Sequence, residues 1–261
     1  MLPVPIDRLR ETWARDQPVL NAWLMLDGVV AAASVAGAGF DSVTLDLQHG
    51  AGSLERAGQV FAGVEAHAVP LARPRWNDAG EIMRLLDLGA RGIVCPMVSS
   101  RAEAERLVAA CRYPPAGARS YGPVRGAFGP GAEHVRLGEA ETLVFAMIET
   151  AAGLENVTDI AATPGLDGVY VGPADLSLAL GLTTFADLAD PRLLEALDAV
   201  VDAARASGIV PGAHAPSPER SARMVERGFR FVSPAVDADL LTASGTAAVA
   251  AVRSILRNEH E

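Results

Sequence analysis

"VYVGPADLSLALG", residues 169–181, contains the hand-over on which the fold turns. A β-branched apolar run stops at Gly172-Pro173, and a leucine-rich segment of helical character starts at once, with Asp175 at its beginning. A buried strand feeding straight into a helix is the repeating unit of parallel α/β folds, so the fold depends on how often the unit recurs. It recurs along the whole chain. Counting 168–172, strand-length apolar runs fall at 19–26, 42–47, 68–73, 92–98, 142–149, 208–214 and 229–234. The segments between them carry helix signals. Ser100 with Glu103 forms a capping box, Ser217-Pro218 reads as an N-cap with a first-turn proline, and "RAEAERLVAAC" spaces Leu107, Val108 and Cys111 along one face. Eight strand–helix units in 261 residues predict an α/β fold of the (β/α)8 TIM-barrel type, one domain over 1–261. The doubly wound sheet is the rival, but no G-x-G-x-x-G fingerprint follows the first strand.

Composition narrows the function. A formal charge of −10 argues against nucleic-acid binding. The start "MLPVPIDRLRETWARDQ" lacks the basic-then-apolar order of a leader, and the longest apolar run, "VVAAASVAGAGF", is too short to span a bilayer. Cys95 and Cys111 form no disulfide framework and read as buried small hydrophobes, which fits a reduced cytoplasm and no membrane partner. The chain contains no lysine at all. Schiff-base catalysis, pyridoxal-phosphate attachment and P-loop phosphate binding therefore have no residue to use.

In a barrel, chemistry sits at the C-terminal ends of the strands. Asp46, His49, Arg73, Glu149 and Asp175 fall there. Each has a plain alternative: Asp46 a turn residue, His49 a loop histidine, Arg73 a surface cation, Glu149 a helix cap, Asp175 an N-cap. Period-two alternation puts Glu149 on the face of Phe145 and Met147, aimed at the barrel mouth, with Asp175 on the adjacent loop. Two carboxylates so placed repel unless a cation bridges them, and an oxygen-rich site suits Mg²⁺ or Mn²⁺ better than zinc. Arg73 then suits an anionic substrate or a developing oxyanion.

"FDSVTLDLQHG", "ARPRWNDAGEIMRLLDLGARGIVCPMV", "CRYPPAGARSYGP", "MIETAAGLENV" and "LDGVYVGPADLSLALG", in this order, resemble the HpcH/HpaI aldolase family over about Pro18 to Ser233. The resemblance implies a divalent-metal-dependent (Mg²⁺, Mn²⁺ or Co²⁺) class II pyruvate aldolase that cleaves a 4-hydroxy-2-oxo acid to pyruvate and an aldehyde. By position it implies Glu149 and Asp175 as metal ligands, Arg73 on the pyruvate carbonyl oxygen, and His49 as acid/base with Asp87 as its dyad partner. Gly172, Pro173 and Ala174 match the turn that holds the pyruvate carboxylate, and Asp46, Trp23 and Ser233 complete the expected substrate contacts. Gln48 and Met147 depart from the family pattern, which often has Glu and Gln there. The alternatives are a related lyase acting on oxaloacetate or a CoA ester, or a non-catalytic ligand-binding barrel.

Two segments point to assembly. The stretch 113–131 holds Arg119, Tyr121, Arg125 and Phe128 among five glycines and four prolines, a composition closer to an interface than to a solvated linker. "DADLLTASGTAAVAAVRSILR", at about 237–257, reads as an apolar, small-residue helix. The resemblance implies that this helix swaps between barrels in a homo-oligomer, a hexamer built as a trimer of dimers.

Overall fold

The computed structural model describes residues 4–122 and 132–258. Eight parallel strands close a barrel in chain order, each hydrogen-bonded to the next and the last to the first. They are β1 (Val19–Leu24), β2 (Ser42–Asp46), β3 (Val69–Arg73), β4 (Gly92–Cys95), β5 (Leu143–Ile148), β6 (Gly168–Val171), β7 (Val210–His214) and β8 (Phe231–Val236). Every expected run becomes a strand. The expected ends overshoot by one to three residues at β1, β2, β4, β5 and β6, where the chain already turns into the loops above the barrel; β3 and β7 end where expected, and β8 runs two residues further, to Val236.

Alternation along the strands divides the core in two. Outward residues such as Val43, Leu45, Val144, Ile148, Val169 and Val171 pack against the surrounding helices. Inward residues, among them Val69, Leu71, Val94, Phe145, Tyr170 and Phe231, fill the barrel itself. Gly212 leaves room for this filling, because a Cβ there would meet Tyr170 Cδ2 at 2.5 Å and Phe231 Cδ1 at 3.1 Å. The N-terminal end is closed by the helix Asp7–Ala14, which buries Leu9 and sets the Trp13 ring edge-on to Phe145 and Phe231, each 6.1 Å away.

Above that apolar floor lies a polar layer. Asn21 donates to Ser233 Oγ (2.9 Å) and accepts from Ser42 (2.9 Å) and Thr44 (3.0 Å), while Tyr170 OH lies 2.6 Å from Ser233 Oγ. All five residues are buried, and each polar side chain has a partner, as a dry interior requires. The two cysteines are buried, and burial pushes both thiols up, Cys111 to about 12, which fits inert packing.

Helix starts follow the expected chemistry. Ser100 accepts from the Glu103 amide and Ser217 from the Arg220 amide. The segment after Tyr113 differs from expectation in one respect. Arg119 faces inward, 5% exposed, stacked on Tyr113 (4.7 Å) and ion-paired to Asp87, so it is not an exposed interface residue in this chain. A buried guanidinium needs a counter-charge, and Asp87 supplies it. Tyr121 is exposed; Arg125 and Phe128 lie outside the described residues.

The last helix, Asp237–Asn258, extends beyond the barrel. Asp237 ties its start down by accepting the amides of Met25 (2.8 Å) and Leu26 (3.2 Å). Beyond that anchor, Leu240, Leu241, Val249, Val252, Ile255 and Leu256 are exposed. By length and composition alone, Asp237–Arg257 is long and apolar enough to cross a membrane.

Candidate active site

The inward-facing alternation continues past the strand ends and delivers side chains to one cavity of about 220 Å³ at the C-terminal mouth. Arg73, the last residue of β3, and Glu149, just beyond β5, are brought there together with Trp23, His49, Met147, Asp175 and the Gly172–Ala174 turn. A larger hollow of about 490 Å³ lies at the opposite end, beside Trp13. Four of its five charged residues pair as Arg10–Asp167 and Arg230–Asp16, the fifth being Arg205, and no histidine or helix start joins them there.

Arg73 is held rigidly. Its Nε donates to Asp46 Oδ1 (2.9 Å), and its Nη2 donates to Oδ2, a two-pronged pairing. Oδ2 also accepts the Trp23 indole N–H (3.1 Å), and Oδ1 accepts the amides of Gln48 (2.9 Å) and His49 (3.2 Å). Burial pushes the Asp46 carboxyl up, but the Arg73 hydrogen bonds and charge outweigh it, and the group is held below the usual carboxylate range. The guanidinium carbon also lies 5.0 Å from the Trp23 ring centre. Asp46, expected as a substrate contact, is fully buried behind Arg73 and is not on the cavity wall; what it touches is Arg73.

Glu149 is 2% exposed. Its Oε1 accepts the Met97 amide at 2.7 Å, and Met97 adopts φ +60° to present it, a conformation a long side chain rarely takes. Oε2 is buried with no partner among the described residues. Burial, helped by the negative charge of Asp175 and opposed by the Met97 amide and Arg73, pushes this carboxyl up to about 7. Glu149 is not a helix cap: Thr150 takes that position, accepting from the Gly153 amide. Nor is Asp175 an N-cap. That place belongs to Gly172, and Asp175 sits in the first turn of the helix Pro173–Ala179. Gly172 also makes space, since a Cβ there would run into Glu149 Oε2. In the turn itself Pro173 has no N–H, so the amide donors available there come from Gly172, Ala174 and Asp175.

Two expected residues, Asp87 and Ser233, are not brought together with the rest. No hydrogen bond joins His49 to Asp87 among the described residues; Asp87 Oδ1 accepts from Arg119 Nη2 at 2.9 Å. Ser233 is buried within the polar layer below the cavity, held by Asn21 and Tyr170, and does not line the site. One residue was missed. His214 ends β7 and lines the cavity, its ring edge-on to Trp23 at 5.0 Å. The signal was present, because Val210, Gly212 and His214 alternate as Phe145, Met147 and Glu149 do.

The model of the HpcH/HpaI aldolase/citrate lyase family matches residues 20–244. The chain belongs to this family. A hydroxypyruvate/pyruvate aldolase from Rhizorhabdus wittichii is 34% identical over 96% of this chain and all of its own length. A 4-hydroxy-2-oxo-heptane-1,7-dioate aldolase from Salmonella typhimurium is 35% identical, with 90% of each chain covered. Among solved structures, an HpcH/HpaI aldolase/citrate lyase family protein from Burkholderia cenocepacia superposes with a TM-score of 0.86 at 29% identity, covering 95% of this chain and 98% of that one. For an HpcH/HpaI member the arrangement is economical: one fixed cation (Arg73), two carboxylates facing one space, one exposed histidine at the rim (His49), and a helix start.

Proposed function

We propose that this protein cleaves a 4-hydroxy-2-oxo acid reversibly to pyruvate and an aldehyde, with a divalent cation held by Glu149 and Asp175. The observation that carries the reading is Glu149 Oε2, a buried carboxylate oxygen beside a second carboxylate with no donor to satisfy it among the described residues. Hard oxygen donors in a site of low ligand number fit Mg²⁺, Mn²⁺ or Co²⁺. Among the described residues no cluster of three or more His, Cys, Asp or Glu side chains gathers, so most of such a cation's coordination is left to water and substrate. When bound, the cation supplies Lewis-acid polarisation of the 2-oxo group.

The chain's own residues carry the rest. The amides of Gly172, Ala174 and Asp175, at a helix start, suit the substrate carboxylate. Arg73, fixed by Asp46, donates to the keto oxygen as its charge develops during cleavage of the C3–C4 bond. His49 accepts the proton of the C4 hydroxyl as that oxygen becomes the aldehyde carbonyl, the enolate left behind takes a proton at C3 to become pyruvate, and the reverse direction runs both transfers backwards. Asp87, the expected partner of His49, accepts from Arg119. Trp23, Met25, Met147 and Val236 give the wall beside the reacting carbons an apolar character that keeps water from competing.

We propose further that the protein works in the cytoplasm as a homo-oligomer, with the terminal helix covering its apolar face on a neighbouring barrel. The support is the exposed row from Leu240 to Leu256 on a helix whose start is tied to the barrel through Asp237. The catalytic reading is tested by pyruvate methyl-proton exchange in D₂O and by cleavage of 4-hydroxy-2-oxo acids, before and after chelation. Activity lost on chelation and restored by Mn²⁺ or Mg²⁺ supports it; full activity in excess chelator refutes it. Light scattering that gives a monomer mass for a fully active protein refutes the assembly.

A further inference from the structure

The cavity has a polar group that the proposed reaction does not use. His214 closes β7 on the side of the cavity formed by Trp23, Met25 and Val236, which are otherwise apolar at that wall. Its ring is fixed edge-on against Trp23, 5.0 Å between centres. Nδ1 is buried, and neither ring nitrogen has a hydrogen-bond partner among the described residues. Burial first, and then the positive charge of Arg73, press the imidazole down to about 4 against the weaker pull of Asp46. At neutral pH the ring is therefore uncharged, one nitrogen donating and the other accepting.

That pairing of properties selects a ligand chemistry. A neutral imidazole offers a carboxylate no charge, and it offers an alkyl chain only the penalty of an unmatched polar atom. A hydroxyl suits it whichever nitrogen carries the proton, since O–H can donate to one tautomer and accept from the other. We propose that His214 is a specificity-determining residue that hydrogen-bonds a hydroxyl group carried next to the reacting carbons of a substrate. The proposal rests on the aldolase reading of the same cavity. The hydroxyl can belong to the acceptor, as an α-hydroxyaldehyde, or to the donor, as a 3-hydroxy-2-oxo acid.

Matched pairs that differ only by OH against CH₃ separate the two sources: glycolaldehyde against propanal with pyruvate, and 3-hydroxypyruvate against 2-oxobutanoate with a fixed aldehyde. The wild-type protein should prefer the hydroxyl-bearing member of one pair in kcat/KM. His214→Leu should lower that preference about tenfold, the discrimination worth one neutral hydrogen bond, and leave the deoxy member within twofold. His214→Asn, which keeps a donor and an acceptor, should recover part of it and guards against a leucine variant that folds poorly. Equal loss for both members of each pair makes His214 structural and overturns the proposal. So does a wild-type protein with no preference in either pair, or a His214→Leu preference unchanged from wild type. Pyruvate methyl-proton exchange, followed in parallel, tells the failures apart. Exchange intact with preference unchanged sinks this inference alone, whereas a metal-loaded wild type without exchange sinks the aldolase reading and this inference with it.

Discussion

Replacing Asp46 with asparagine changes one heavy atom at the best-connected point of the site. Five donors converge on that carboxylate: Arg73 Nε and Nη2, the Trp23 indole and the amides of Gln48 and His49. Asparagine can accept through one oxygen only. If that oxygen replaces Oδ1, its NH₂ faces Arg73 Nη2 and Trp23; in the other orientation it faces the remaining three donors. Even the better choice leaves two donors against a donor, and removes the charge opposite a guanidinium that is 8% exposed. Breaking one side of a buried ion pair costs about 3–5 kcal/mol. For a chain of this length that corresponds to a fall in Tm of the order of 10 °C. Arg73 also loses its fixed aim, and a small misplacement of a group in the reacting shell costs roughly 100-fold in rate. Thermal unfolding and pyruvate exchange measure the two effects on the same sample. The pH dependence adds a check of sign. Asp46 has its folded pKa below its unfolded value, so its contribution is present above the ordinary carboxylate range and is lost as pH falls through the folded value. The gap in stability between wild type and Asp46→Asn should therefore narrow in acid. A variant that melts within about 2 °C of wild type at neutral pH, with exchange intact, would refute the role given to Asp46.

Glu149, pushed up to about 7 from an ordinary 4.5, should make the cation-free protein less stable as pH rises through that window. Glu149→Gln should flatten the profile in chelator melts and abolish any Mn²⁺-induced rise in Tm. His214 runs the other way: with a folded pKa of about 4 against 6.5 unfolded, its contribution is complete above 6.5 and is lost as pH falls toward 4. The loss is at most about 3 kcal/mol, and urea titrations should show this slope missing in His214→Asn. Gly172 has φ −94°, so Gly172→Ala meets no backbone strain, only Glu149 Oε2. Calorimetry should find Mn²⁺ affinity down by tenfold or more while the metal-free melt stays close to wild type.

The sequence by itself determined the barrel, because each strand announces itself locally. An apolar run of strand length, a Gly or Pro stop and a helix start are short-range signals, and eight of them in one chain leave few topologies. It also determined which strand ends carry Arg73 and Glu149, since period-two alternation from buried neighbours aims them inward. Residue type alone did not show what each polar side chain meets there. Asp46 and Arg73 are 27 residues apart, Asp87 and Arg119 are 32, and Tyr170 and Ser233 are 63. Only closure of the barrel and folding of the segment after Tyr113 bring those partners within reach. That long-range pairing places Asp46 behind Arg73 as its partner, and gives Asp87 to Arg119. It also leaves Ser233 below the cavity and exposes His214 as an unpaired group within it. A chain announces where a side chain points through its nearest neighbours, but what that side chain touches is set by residues far away along the chain, and only the tertiary structure supplies them.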